Sequence, residues 1–264
     1  MTPEAIRDLV AVAVDAAEAG AALAREAALQ PRARVEHKGT IDLVTETDRA
    51  VEALIRARLE TTGVAMLGEE TGGTVAPDTW QWIVDPIDGT TNFAHRVPHF
   101  AVSIGLWDGA RPRAGVIVDV MRAERYVTDG VTGTGPTGPL GPLPDPPLGE
   151  ALLASGFAYD RQTNDDDNTR EWRAFLKRCR GLRRNGAAAL DLAWVAAGRL
   201  DGYWEARLKP WDVCAGIALV EVAGGRVTDY DGRPWRFGAE GIVAAPPRLH
   251  GEIHDLLAHT RTAR

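Results

Sequence analysis

The chain has 264 residues, enough for one large domain or two small ones with an ample core. A hydrophobic fraction of 45%, a charged fraction of 25% and a net charge of −7 are ordinary for a soluble globular protein and argue against a nucleic-acid binder, which normally carries a basic face. Cys179 and Cys214 lie far apart without CxxC spacing, which argues against a disulfide framework or zinc cluster and suits a reduced, cytoplasmic setting.

Thr2-Pro3-Glu4 predicts a helix start, and the Ala-rich segment behind it predicts an amphipathic helix to about Leu29. Its acids, Glu4, Asp8, Asp15 and Glu18, exclude a signal h-region or membrane span. Pro31 to Gly39 is a basic, irregular loop by composition. Thr45 to Thr62 reads as a second helix, with Thr45 and Asp48 as a loose capping box. Val64 to Leu67 is a short strand that ends in the acidic loop Gly68 to Gly73. Phe100 to Trp107, Ala114 to Val120 and Arg125 to Thr128 read as antiparallel strands, with Asp108-Gly109 as a turn.

Residues 129 to 149 are dense in Gly and Pro and mark a boundary between two halves. Gly133, Gly135 and Gly138 match GxGxxG, but Pro136 lies inside the motif and no helix opens after it, so a dinucleotide site is rejected. Beyond the boundary, strands are expected at Ala151 to Phe157, Gly202 to Ala206, Arg226 to Tyr230 and Gly241 to Ala245. Helices are expected at Thr169 to Cys179, Ala187 to Ala197, Asp212 to Ala223 and Pro247 to Ala258. This pattern predicts an α/β (α+β) protein with helices layered on two sheets.

The chemistry concentrates in Trp80 to His95, WQWIVDPIDGTTNFAH. Trp80 to Val84 is aromatic and β-branched, a buried strand that stops at Asp85. Pro86 and Gly89 shape a turn, and Thr90-Thr91-Asn92 opens a helix or tight turn with free N–H groups. Asp85, Asp88 and the Ile87 carbonyl between them are hard oxygen ligands of the kind Mg²⁺ takes. The glycine-led helix start beside them suits a phosphate. An EF-hand needs acids at alternating positions and a closing glutamate, and neither is present. No GxSxG elbow surrounds Ser103, and Pro98 spoils a helical metal pair of His95 and His99.

DPIDGTTNF resembles the signature of the inositol monophosphatase family of Mg²⁺-dependent phosphatases. GEET, DPIDGTT and WDVCAG resemble that family's three metal motifs in order and at similar separations. The resemblance implies an α-β-α-β-α layered sandwich over residues 1–264, often dimeric, with sub-halves 1–149 and 150–264. It implies Glu69, Asp85, the Ile87 carbonyl, Asp88 and Asp212 as ligands of Mg²⁺ or Mn²⁺, with Asp85 bridging two ions. Taken alone, Glu69 reads as a loop acid and Asp212 as a helix cap, and capping is compatible with ligation. Gly89 and Thr90 would hold the phosphate.

Water activation maps by the same resemblance onto Thr90, Asp48 and Glu69, with Asp48 lying in DLVTETDRAVE. Lys38 matches a lysine of the family's mobile loop, with one residue fewer before Asp42 than in the eukaryotic pattern. Gly186, Ala187 and Ala188 match the segment that lies against the sugar, and Glu205 the glutamate that accepts inositol hydroxyls. The expectation is a Mg²⁺-dependent, lithium-sensitive hydrolase of inositol 1-phosphate. Histidinol phosphate, fructose 1,6-bisphosphate and nucleotide 3′-phosphates are alternative substrates, and a regulatory binding role on transcription complexes is an alternative of another class. No membrane partner is expected.

Overall fold

A computed structural model describes residues 1–30, 35–37, 43–74 and 78–262. Helix α1 (Pro3–Leu29) starts where Thr2 and Pro3 predict. Thr2 Oγ1 accepts the Ala5 N–H at 3.3 Å, and the missing N–H of Pro3 costs nothing in a first turn. Its stripe of Ala13, Ala16, Ala17 and Ala24 is wholly buried. Such small side chains let helix α2 (Glu46–Leu59) come close, and Ile55 and Val51 of α2 lie directly over Gly20.

Between these helices, β1 (Val35–His37) and β2 (Leu43–Thr45) pair antiparallel, so the loop expected over Pro31 to Gly39 contains a short strand. Thr45 ends β2. The helix expected from Thr45 to Thr62 begins at Glu46 and finishes in a 3₁₀ turn over Glu60–Thr62. Lys38 lies outside the described residues.

A seven-stranded sheet follows in chain order. Its strands are β3 (Ala65–Gly68), β4 (Gln81–Asp88), β5 (Ala101–Trp107), β6 (Pro112–Asp119), β7 (Glu124–Thr128), β8 (Gly133–Gly135) and β9 (Gly138–Pro139). β3 runs parallel to β4, and each later pair is antiparallel. Two expectations change here. β4 does not stop at Asp85 but continues through Pro86 to Asp88, with the register against β5 shifting between the two acids. The glycines of the rejected GxGxxG form the β8–β9 hairpin, where their small size suits a tight return.

Helix α3 (Thr90–His95) follows β4 directly. The second half contains β10 (Leu152–Ser155), α4 (Thr169–Leu176), β11 (Gly181–Arg183), α5 (Ala188–Ala196), β12 (Gly202–Ala206), α6 (Pro210–Val222), β13 (Arg226–Thr228), β14 (Gly241–Ala245) and α7 (Pro247–Thr262). Its sheet has the order β11-β10-β12-β14-β13. α1 and α2 cover one face of the large sheet, α5 and α6 lie between the sheets, and α4 and α7 cover the far face of the small sheet. The order is α-β-α-β-α, as expected. With both faces of β4, β5 and β14 covered, every residue of these strands is buried, which is why they read as apolar runs rather than alternating ones. Among the described residues no helix is long and apolar enough to cross a membrane.

The middle layer leaves no room at the sheet. A Cβ at Gly115 would lie 2.6 Å from the Ala215 carbonyl oxygen and 2.7 Å from Ala215 Cα, both backbone atoms of α6. Gly115→Ala should therefore destabilise the fold by about 1–3 kcal/mol, the usual scale of overpacking. Urea unfolding checks this, and an unchanged midpoint would mean that α6 sits looser on the sheet than described.

Candidate active site

Strand and helix ends converge on a cavity of about 210 Å³. Its wall contains Glu69, Asp85, Ile87, Asp88, Gly89, Thr90, Gly186, Ala187, Ala188, Glu205 and Asp212, so residues singled out across 144 positions of sequence meet in one place. Asp48 stands one layer behind. Thr90 Oγ1 is 3.2 Å from Asp48 Oδ1 and 3.1 Å from the Ile87 carbonyl oxygen, and its single proton can go to only one of them. Of the residues expected at the site, Lys38 lies outside the described set.

The bulge in β4 delivers the first acids. Asp85 Oδ1 accepts the Ile87 N–H at 3.0 Å, which folds the strand end around its own side chain. Gly89 then takes φ +93°, a conformation that disfavours side chains. A Cβ there would come within 3.1 Å of the Gly186 carbonyl and 3.2 Å of Ala187 Cβ. The two halves of the chain touch at that point. Asp88 accepts the N–H groups of Ala188 at 3.1 Å, Ala189 at 2.9 Å and Leu190 at 3.4 Å, so it caps α5 from a hundred residues away. Asn92 adds a second tie, with Nδ2 donating to the His99 carbonyl at 2.7 Å and the Asn185 carbonyl at 2.8 Å.

Glu69 follows β3, and its N–H bonds the Val84 carbonyl at 3.1 Å. The buried carboxylate of Glu52 pins the next residues by accepting the N–H groups of Glu70 at 2.7 Å and Thr71 at 3.0 Å. Asp212 is the third residue of α6 rather than its cap. It accepts the Lys209 N–H at 2.6 Å, the returning half of a capping box.

These acids disturb one another. Burial, and then the charges of Glu69, Asp88 and Asp212, raise the pKa of Asp85 well above the carboxylate range. Burial lifts Asp88 to about 7 against the pull of its three N–H donors. Burial and the Glu69 charge raise Asp212. Among the described residues no three His, Cys, Asp or Glu side chains are already gathered as a finished metal cage. Asp88 and Asp212 instead face N–H groups. The donor chemistry still fits a hard divalent cation, because the set is all oxygen, largely buried and crowded with like charge that such an ion would relieve.

Glu205, the last residue but one of β12, also lines the cavity. A Cβ at Gly156 would lie 2.2 Å from the Glu205 carboxylate, so a glycine there makes the room. The Tyr203 hydroxyl donates to Glu205 Oε2. Burial raises Glu205 to about 7, opposed by that hydrogen bond and by Arg184. Sequence reasoning did not single out Gly156, Glu52, Arg184 or Asp191. Asp191 did carry a signal, as the lone charge in the apolar helix AALDLAWVA. His95 is exposed, while His99 is buried with its ring edge-on to Trp194, so neither reaches the cavity.

A pH dependence follows for the metal-free protein. Folded Asp88 and Glu205 keep their protons up to about 7, whereas unfolded carboxyls lose them near 4. The folded state binds more protons across that window, so stability must fall as pH rises through it. Thermal unfolding in chelator should give a lower Tm at about pH 8 than at about pH 5, and millimolar-scale Mg²⁺ should restore the loss at the higher pH. A Tm indifferent to both would show that these acids do not strain the fold.

The family profile described as "Inositol monophosphatase family" matches residues 6–263. An inositol-1-monophosphatase from Synechocystis sp. is 41% identical over 232 residues, covering 86% of this chain and 81% of that protein. The Nus factor SuhB of Escherichia coli is 37% identical over 257 residues, covering 95% of this chain and 94% of its own. The structure of an inositol monophosphatase from Anabaena (Nostoc) sp. superposes with a TM-score of 0.86 at 36% identity, covering 96% of each chain. By profile, sequence and fold, the chain belongs to the inositol monophosphatase family.

Proposed function

We propose that the protein is a Mg²⁺-dependent phosphomonoesterase that releases phosphate from inositol 1-phosphate or a closely similar polyol phosphate. The observation that carries this reading is the convergence of Glu69, Asp85, Asp88 and Asp212 on one cavity, with Thr90 and Glu205 in the same wall and Asp48 bonded to Thr90 from behind. Glu69, Asp85, the Ile87 carbonyl, Asp88 and Asp212 would hold Mg²⁺ or Mn²⁺. When bound, such ions supply Lewis acidity toward phosphate and make water a better nucleophile at neutral pH.

The chain's own groups do the rest. The N–H groups of Gly89 and Thr90 hold phosphate oxygens. The Thr90 hydroxyl donates to Asp48, so Thr90 Oγ1 can accept a hydrogen bond from the attacking water and take its proton only as its own passes to the Asp48 carboxylate, while Glu69 offers a second acceptor. Ala187 and Ala188 form a wall with room for a ring, and Glu205 accepts hydroxyl protons from it. Lys38 is assigned by the resemblance alone. The two halves, 1–149 and 150–264, act as one domain, because α5 and α6 pack on both sheets. The family resemblance supports a cytoplasmic homodimer, which sedimentation can measure.

A second reading comes from the relative named Nus factor SuhB. A regulatory binding role on the transcription machinery would keep the fold and not need turnover. Retention of a transcription complex by Asp88→Asn in a pull-down would favour it.

Chelation should abolish turnover, and Mg²⁺ or Mn²⁺ should restore it. Asp88→Asn should lower kcat by about 10²-fold or more, the scale of a lost electrostatic contact in catalysis. Li⁺ should inhibit uncompetitively toward substrate, and excess Mg²⁺ should relieve it. Full activity in chelator, or a near-native rate for Asp88→Asn, would remove the mechanism.

The phosphate side is common to every candidate substrate, so discrimination rests on Glu205. Glu205→Gln should lower kcat/KM for inositol 1-phosphate about tenfold, the value of a charge-assisted hydrogen bond, and change glycerol 2-phosphate hydrolysis much less. Equal losses on both substrates would show that Glu205 supports the metal side or the fold.

A further inference from the structure

Asp191 is 2% exposed, yet it lines the same cavity as Glu205. Every other residue of α5 is apolar, so this carboxyl is carried into the interior by a helix that otherwise only packs. Burying a carboxyl is costly unless its oxygens are satisfied. Here the satisfaction is partial. Asn185 Nδ2 donates to Oδ1 at 2.6 Å, and Oδ2 has no hydrogen-bond donor among the described residues. Nor is Oδ2 among the sealed, unpartnered polar atoms of the interior, so it opens on the cavity.

The placement is also fixed. The residues just before Asp191 on α5 are bonded to Asp88, and its partner Asn185 is tied by its carbonyl to Asn92. Asp191 therefore cannot drift relative to the reacting end of the pocket. Glu205 is near enough for the two charges to oppose each other, while Arg184 at the mouth opposes both. A structural tie to Asn185 needs one neutral acceptor. A carboxylate with an open oxygen offers more than that tie requires.

We propose that Asp191 is a second specificity-determining residue, whose Oδ2 accepts a hydroxyl of the alcohol next to the one Glu205 accepts. The matching substrate class is a phosphate monoester of a polyol that carries at least two neighbouring free hydroxyls. The inference rests on the phosphomonoesterase reading above.

The test is a cycle of protein variant against substrate. Asp191→Asn keeps an acceptor for Asn185 and replaces the open Oδ2 with an amide nitrogen that cannot accept. Steady-state kinetics with Mg²⁺ are measured on inositol 1-phosphate, on its singly deoxygenated analogues and on glycerol 2-phosphate, with Tm followed in parallel. Loss of that acceptor should lower kcat/KM for inositol 1-phosphate about tenfold, mainly through KM, and leave glycerol 2-phosphate within about twofold. One deoxy analogue should be a poor substrate for the wild type and no worse for Asp191→Asn, because the same contact is already gone. Glu205→Gln should share that insensitivity with a different analogue.

Equal penalties from every analogue in wild type and Asp191→Asn would overturn the inference, as would equal losses on all substrates with a lowered Tm. If the wild type itself shows no preference for inositol 1-phosphate over glycerol 2-phosphate, the polyol reading fails, and this inference fails with it. A wild-type preference that Asp191→Asn preserves removes Asp191 alone.

Discussion

The carboxylate of Asp88 against the first turn of α5 is the contact on which the site depends. It satisfies N–H groups that a helix start cannot satisfy itself, and once ionised does so with the charge that the helix dipole favours. Hydrogen bonds to a charged group contribute more than neutral ones, about 1.5–3 kcal/mol each where geometry is good. The same acid also belongs to the β4 end that presents Asp85 and the Ile87 carbonyl. Gly89 touching Gly186 and Asn92 bonding Asn185 complete the joint. The loop proposed to face phosphate and the wall proposed to face the alcohol are thus two sides of one seam.

That joint lies in a region the fold makes expensive. Asp85, Asp88, Asp191 and Glu205 are all buried, and each has its pKa raised chiefly by burial. A core designed for stability alone would replace them with apolar side chains. The packing around them is otherwise tight: α6 lies on the large sheet with glycines where any side chain would collide. These four acids all line one cavity, which is the usual signature of a functional site rather than of a poor core.

Local chemistry made part of this legible in the sequence. The Thr2-Pro3 helix start, the apolar strands and the acids at element ends are each encoded by neighbouring residues. Helices layered on two sheets also followed from the succession of strands and helices, whereas the order of the layers came from the family resemblance. What escaped depended on distance in the chain. The bulge that carries β4 past Asp85 arises from pairing with β5. β1 and β11 have three residues each, too few for a period to show. The Gly/Pro stretch looked like a linker because its hairpin is held by β7 and not by its own propensity. Gly156 and Asp191 acquire meaning only when β10, α5 and β12 are side by side.

The part of the cavity proposed to take the alcohol is defined as much by side chains that are missing as by those present. Gly156 leaves space for Glu205, Gly186 leaves space beside Arg184, and Ala187 and Ala188 offer only methyl groups. Such a wall imposes shape weakly, because no bulky group projects from it. Selectivity then has to come from polar acceptors, and a site built to bond hydroxyls rejects an analogue lacking them far better than an apolar pocket rejects one extra methylene. The acids on this side all sit on elements of the second half, whereas Thr90 and the β4 acids belong to the first. On the proposed reading, substitutions on α5 or β12 therefore change which alcohol is accepted. They must leave the first turn of α5 intact, because that turn is where Asp88 is held.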